Sequence, residues 1–293
     1  MHRDWIGAKM KKYNFFARIY IQIAAVFASN PFLQNFFKGT IYQGKGKGIC
    51  VPGLNCYSCP AAVGACPLGS LQSSLASPQG KSSFYIAGFL VSVGAFFGRT
   101  ICSFLCPFGF LQELLYKIPT KKIKKSNTTR RLSIAKYIFL VVFVLALPYG
   151  VYLATGIGSP FFCKLICPAG SLEAGIPLVI ANKSLQSLVG FLFSWKMSLL
   201  ALFIITSIFI YRPFCRFVCP LGAIYSFFNK YALFGVRVDT AKCISCKKCI
   251  NFCKLDVHEV NDRECIRCGE CISVCPTEAI SFFQKRTNNN TIS

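Results

Sequence analysis

Histidine and acid are what this sequence mostly lacks. Only two histidines, His2 and His258, occur in 293 residues, and Asp and Glu together number 10 against 33 Lys and Arg. No histidine pair sits within apolar segments to hold a b-type haem, and no C-x2-C-H run would attach a c-type haem. The H-E-x-x-H helix of zinc hydrolases is missing, as are G-x-x-x-x-G-K-[ST] and a G-x-G-x-x-G turn after a strand. Gly44, Gly46 and Gly48 alternate with lysines and lead into a cysteine loop, so they read as a flexible loop. Charged residues are also scarce, 15% of the chain against roughly 25% in soluble domains. What is plentiful is apolar surface, at 54%, and cysteine, at 18 residues. Whatever chemistry the chain performs must run on cysteine.

A net charge of +23 suggests nucleic acid until its distribution is considered. Residues 1–238 hold 25 Lys/Arg and three acids (Asp4, Glu113, Glu173), whereas residues 239–293 hold eight Lys/Arg and seven acids. The excess belongs to the apolar part, which is the pattern of a membrane protein. No nucleic-acid partner is expected.

Four stretches are apolar enough to suit a hydrocarbon core of roughly 30 Å, which takes about 17–25 helical residues. They run from about Phe15 to Phe37, Ser82 to Gly98, Tyr137 to Leu153, and Leu188 to Tyr211. In the last, Lys196 beside Trp195 marks an interface to which a lysine can snorkel. The first continues past Ala28 through Pro31-Phe32-Leu33, so it reads as an uncleaved span and not a secretory signal. Residues 1–14 and 99–133 carry 12 Lys/Arg, and the intervening loops 38–82 and 154–187 carry six. The positive-inside rule then places both termini in the cytoplasm and the protein in the cytoplasmic membrane.

The tail holds the strongest pattern. Cys243-x2-Cys246-x2-Cys249-x3-Cys253 is followed by Cys265-x2-Cys268-x2-Cys271-x3-Cys275-Pro276. Each triplet aims three thiolates at one centre, and the distant fourth ligand comes from the other run. Cluster one takes Cys243, Cys246, Cys249 and Cys275; cluster two takes Cys265, Cys268, Cys271 and Cys253. Zinc knuckles use paired C-x2-C, not two triplets. Residues 239–283 resemble the two-cluster bacterial ferredoxin, a compact unit of short strands and helices. Lys254 departs from that pattern by standing where proline is usual. Lys247, Lys248 and Arg267, beside the ligands, either raise the cluster potential or form a solvated docking face.

Ten further cysteines sit where apolar stretches meet loops. Cys102-x3-Cys106-Pro-x-Gly and Cys215-x3-Cys219-Pro-x-Gly follow the second and fourth stretches. Cys163-x3-Cys167-Pro-x-Gly follows the third, and Cys59-Pro-x5-Cys66-Pro-x-Gly the first, with Cys50 and Cys56 upstream. This order is an internal duplication. A pseudo-two-fold axis along the membrane normal gathers Cys102, Cys106, Cys215 and Cys219 on the inner face. It gathers Cys59, Cys66, Cys163 and Cys167 on the outer face, leaving Cys50 and Cys56 over. Each group supplies the four thiolates of a [4Fe–4S] cluster, the proline acting as a rigid stop and the glycine permitting a tight turn. Disulfides outside, or a soft metal such as Cu(I) or a transient redox pair inside, remain open readings.

These motifs and the tail resemble the membrane-bound polyferredoxins of the NapH and NosR type. The resemblance implies an electron-transfer subunit working between a soluble cytoplasmic donor or quinol and an extracytoplasmic flavoprotein or reductase. The expected architecture is an all-α membrane domain of four spans with internal duplication (1–238) plus a small α+β ferredoxin-like domain (239–293). The expected cofactors are two [4Fe–4S] clusters in the tail and one or two more in the membrane domain. No residue reads as a general base, so no independent enzyme is expected. A maturation or metal-handling factor, reducing copper or a disulfide at the C-x3-C pairs, is the alternative.

Overall fold

The computed structural model describes residues 17–77, 82–123, 125–187 and 189–284. The basic Lys9–Lys12 segment and the start of the first apolar stretch lie outside the described residues. Helices dominate. Among the described residues, two are long and apolar enough to cross a membrane, Asn127–Thr155 with 29 residues and Phe191–Phe209 with 19. At 1.5 Å per residue they measure about 43 and 28 Å. Where the sequence reads as four spans, the described parts of the first two stretches hold the apolar helices Ala17–Ser29 and Phe84–Phe97. Asn30-Pro31 ends the first, and Gly98, at φ 52°, ends the second in the left-handed region.

Two prolines sit inside helices and are handled alike. Leu140–Ala146 and Ser171–Gly175 are π-helical turns, closed by Leu147 N–H to the Val142 carbonyl and Ile176 N–H to the Ser171 carbonyl. Pro148 and Pro177 follow directly. A wider i→i+5 turn makes room where the proline ring would meet the preceding turn and where its missing N–H breaks the ladder. The Pro168–Ala181 helix thereby stays continuous through Glu173.

One buried cluster runs through the helical body. It contains Ile86, Leu90, Leu140, Val144, Phe108, Phe162 and Phe214 together with Cys50, Cys66, Cys167, Cys215 and Cys219. Phe214 is its hub, meeting Phe108 and Phe203 edge-on at 5.2 Å and lying 6.5 Å from Phe162. The outward faces are apolar too: Phe84, Val91, Ile138, Val141, Leu202 and Ile205 are all exposed.

The tail closes on a two-stranded antiparallel sheet, β1 Phe234–Val238 against β2 Ile280–Gln284, with Val236 opposite Phe282. The expected boundary at residue 239 therefore falls just after a strand that pairs within the tail unit. This unit is docked against the body by charge. Glu264 receives Lys136 Nζ at 2.6 Å and Arg99 Nη1 at 3.1 Å. Asp262 receives Arg130 at 3.2 Å, Glu270 receives Arg18 at 3.1 Å, and Asp256 pairs with Arg216. Four of the tail's acids thus meet bases of the body, which gives the charge asymmetry of the sequence a structural meaning. Glu113 is buried between Arg18 and Arg212, the latter at 2.7 Å.

Candidate metal centres

Each C-P-x-G motif builds the same local device. Cys66, Cys106, Cys167 and Cys219 are helix N-caps with extended backbone, and the following proline is the first helical residue. Proline is preorganised for that place and loses no hydrogen bond there. It therefore starts a helix, where the sequence reading had it as a stop. The motif glycine is helical as well. Its N–H points back at the capping sulfur, Gly222 to Cys219 Sγ at 3.4 Å, and Gly69, Gly109 and Gly170 do the same for Cys66, Cys106 and Cys167. Helix N-termini favour a thiolate.

Cys102, Cys106, Cys215 and Cys219 line one small cavity, together with Gly53, Leu54 and Tyr225. The two halves clasp each other across it. Arg212 Nη1 donates to the Cys102 carbonyl at 2.5 Å, and Arg99 Nη2 to the Cys215 carbonyl at 3.5 Å. Each arginine stands three residues before the first cysteine of its own motif.

The second set gathers Cys66, Cys163 and Cys167. Cys163 Sγ lies 3.7 Å from where a Cβ on Gly69 would stand. Its fourth thiol is that of Cys56, where the sequence reading placed Cys59. Cys56 Sγ lies 3.6 Å from the equivalent point at Gly170, and Cys56, Cys66 and Cys163 are all within electrostatic reach of Cys167. Cys59, 1% exposed, packs with Ala61 and Ala62, and its sulfur lies 3.6 Å from Asn30 Oδ1. The repeat explains this. Ala62 occupies the place of Cys102, so Cys59, three residues earlier, occupies the place of Arg99. Cys50 is buried in the wall, its N–H 3.4 Å from the Tyr85 hydroxyl. No disulfide joins any of the 18 cysteines.

The two sets lie back to back within one core, where the sequence reading put them at opposite rims. The segment Pro52–Cys56 runs between them as a strap. A Cβ on Gly53 would stand 3.1 Å from Cys106 Cα, so any side chain there would crowd the Cys106 backbone. Leu54 N–H faces Cys106 and Asn55 N–H faces Cys66. Tyr225 donates to the Pro52 carbonyl at 2.9 Å, and Glu173 Oε2 accepts the Cys56 N–H at 2.7 Å. From Gly53 to Cys56 is three residue steps, at most about 11 Å of extended chain.

In the tail, Cys249 is within electrostatic reach of Cys246 and Cys275, and Cys271 of Cys268, Cys265 and Cys253. Cys275 thus stands near the first run and Cys253 near the second, the neighbourhood that crossed ligation needs, with Cys249 also near Cys271 and Cys243 and Cys246 exposed at the far edge. Ser245 and Arg267 have φ 54° and 53°, and Lys247 and Gly269 have φ 55° and 79°, at matching positions of the two runs. Left-handed backbone costs a non-glycine residue about 1–2 kcal/mol, and here it curls each triplet around a common centre. The body meets this region at a buried cluster of Tyr211, Leu255, Val257 and Ile266, against which Cys102 packs from the body and Cys253, Cys265 and Cys268 from the tail. The four cysteine groups thus adjoin in sequence, tail to body through the Tyr211 cluster and body set to body set through the Pro52–Cys56 strap.

Burial pushes the body thiols up, to about 12 at Cys56, Cys106 and Cys163 and to about 11 at Cys66. Such groups stay protonated at neutral pH unless cationic charge sits among them, which iron would supply. Glu173 is raised to about 7 by burial, with the Cys56 N–H pulling it back down. Among the described residues, no three His, Cys, Asp or Glu side chains are grouped tightly enough for one metal ion. Four cysteines lining one cavity, their sulfurs met by backbone N–H groups, fit a polynuclear iron–sulfur core.

A profile described as a 4Fe-4S binding domain matches residues 79–126, 138–179 and 191–239, and a second of the same description matches 258–281. Among curated proteins, the chain is 31% identical over 167 residues to an uncharacterized protein of Methanocaldococcus jannaschii, covering 55% of this chain and 53% of that one. It is 24% identical over 187 residues to the putative electron transport protein YccM of Escherichia coli, covering 61% and 47%. It is 26% identical over 166 residues to the regulatory protein NosR of Stutzerimonas stutzeri, covering 54% and 20%. The chain spans about half the length of the first curated relatives it matches. No solved structure matches. The chain thus carries 4Fe-4S binding domains of ferredoxin type.

Proposed function

We propose that this chain is a membrane-embedded electron-transfer protein in which four cysteine sets, two in the tail and two in the body, hold a row of [4Fe–4S] clusters. When bound, such clusters supply one-electron exchange without making or breaking a substrate bond. The observation that carries the reading is how successive sets adjoin: Cys271 within electrostatic reach of Cys249, Cys102 packed on the same buried cluster as Cys253, Cys265 and Cys268, and the Pro52–Cys56 strap between the body sets. Tunnelling decays steeply with distance, so the protein's task is to fix short spacings, exclude water and set local charge.

The outward apolar side chains of the helices support a place in the bilayer, with the tail on the cytoplasmic side by the positive-inside rule. At the exposed end, Cys243 and Cys246 are ringed by exposed Lys242, Lys247 and Lys248. That collar suits an acidic soluble electron carrier as donor. The Cys56 end of the row then serves an extracytoplasmic acceptor. A second reading of the donor rests on a cavity of about 800 Å³ beside Cys268, walled by Phe97, Phe104, Phe234 and Phe252 and reached by Arg18, Lys254 and Glu270. Its size and amphipathic lining suit a quinol.

Iron and acid-labile sulfide in the anaerobically purified chain test the proposal. About sixteen irons per chain are expected. About eight would confine clusters to the tail and favour a maturation or metal-handling role for the C-x3-C pairs.

A further inference from the structure

Gln72 and Gln112 are the sixth residues after Cys66 and Cys106, in C-P-L-G-S-L-Q and C-P-F-G-F-L-Q. Both are buried, at 0% and 1% exposure. Each reaches out of its own half to the first cysteine of a C-x3-C pair in the other. Gln72 Nε2 donates to Cys163 Sγ at 3.2 Å, and Gln112 Nε2 to Cys215 Sγ at 3.1 Å. The other end of each amide is anchored. Gln72 Oε1 accepts the Phe162 N–H at 2.9 Å, and Gln112 Oε1 accepts the Phe214 N–H at 3.1 Å. The remaining Nε2 hydrogen goes to the carbonyl four residues back, Leu68 at 3.4 Å and Phe108 at 3.2 Å.

Flipping either amide would set NH2 against a backbone N–H, so the donor end faces the sulfur. Burying an amide in an apolar core is costly unless its bonds are made, and leucine or methionine would fill the space more cheaply. Yet the same three-bond arrangement occurs twice, related by the duplication. The acceptor gives the reason: a neutral thiol accepts weakly, whereas a thiolate carrying cluster charge accepts strongly.

We propose that Gln72 and Gln112 are matched positioning residues that fix one ligand cysteine each and raise the reduction potential of that centre alone. The inference rests on the reading that both body sets hold [4Fe–4S] clusters. Reduction adds negative charge that spreads onto the ligand sulfurs, and a donor aimed at one sulfur stabilises the reduced state more than the oxidised. The sixth residues of the other two motifs do a different job. Glu173 and Tyr225 hold the Pro52–Cys56 strap, through the Cys56 N–H and the Pro52 carbonyl. Each body set thus has one glutamine clamp, acting on Cys163 in one and on Cys215 in the other.

The test uses the full chain, purified without oxygen, and its variants Gln72→Met and Gln112→Met, which keep length and lose the donor. Iron content is measured together with potentials from redox titration followed by electron paramagnetic resonance. The expected result is unchanged iron and a lower potential at one body centre in each variant, a different centre in each, with the tail centres unmoved. Pulsed resonance on unsubstituted protein with nitrogen-15 in its glutamine side chains gives a second readout. It should show hyperfine coupling at two centres, and it decides the matter if a variant loses its cluster. Full iron with unmoved potentials, or no such coupling, overturns the clamp and leaves the cluster reading standing. Iron confined to the tail overturns both.

Discussion

The two body centres share a frame and differ in charge. Both are built from helix-capping C-P-x-G cysteines, both receive a glutamine amide on a sulfur, and both face the same strap. The set nearer the tail is braced by Arg99 and Arg212, 1% and 0% exposed, on the carbonyls of its ligand cysteines. At the other set those two places hold Cys59 and Pro160. Its charges are Lys196, 3.3 Å from the Cys163 carbonyl, Lys47 near Cys56 and Cys59, and the carboxyl of Glu173. Duplication supplies the shared geometry, and under the proposed function the residues that break the repeat would set the two centres at different potentials.

The bluntest way to break the comparison is to remove one centre at a time. Cys215→Ser should cost about four irons per chain and stop electrons passing beyond the tail, while the tail centres still reduce. Cys56→Ser should also cost about four irons but leave the Cys102 set reducible. Cys59→Ser should cost none, and iron analysis of all three variants checks the assignment of Cys56 over Cys59. Docking of the tail comes next in size. Glu264→Gln leaves Lys136 and Arg99 buried without their partner, a loss of about 3–5 kcal/mol. Denaturant titration and limited proteolysis between body and tail should both register it.

A smaller effect is expected at the strap. Gly53→Ala presses a methyl against the Cys106 backbone and should destabilise the chain by about 1–3 kcal/mol. It should also slow exchange between the body centres, measured by rapid-freeze kinetics, without changing the tail. The smallest is electrostatic. Glu173→Gln, studied well above neutral pH where the carboxyl is ionised, removes a negative charge beside Cys56. It should raise the potential of that centre only, since positive or lost negative charge favours the reduced form.

Much of this was legible in the sequence because it is written as repetition. The four C-P-x-G endings point to the helix-capping cysteines and to their pairing across halves, and the triplet spacing points to the tail neighbours Cys249 with Cys275 and Cys271 with Cys253. What was not legible lies where the repeat is imperfect or where contacts are long-range. Cys59 looked like a ligand because it is a cysteine near Cys66; aligning Ala62 with Cys102 would have set it in the place of Arg99. The glutamines were visible at the same offset from Cys66 and Cys106, but an isolated glutamine carries no signal until its partner sulfur is known. The depth of the two sets could not be read at all. Loop charges speak of sides of a membrane, whereas the Pro52–Cys56 strap brings both sets into one core. The same holds for the tail acids, whose partners Arg18, Arg99, Arg130, Lys136 and Arg216 are scattered over 199 positions of the chain, from 18 to 216.

Anomalous scattering at the iron edge from crystals of the anoxic, full-length chain is the most direct trial of the row. Four separate iron peaks are predicted, two within the tail and two within the helical body, with the body pair flanking the Pro52–Cys56 strap. Two peaks confined to the tail, with bare thiols around Cys215 and Cys167, would contradict it.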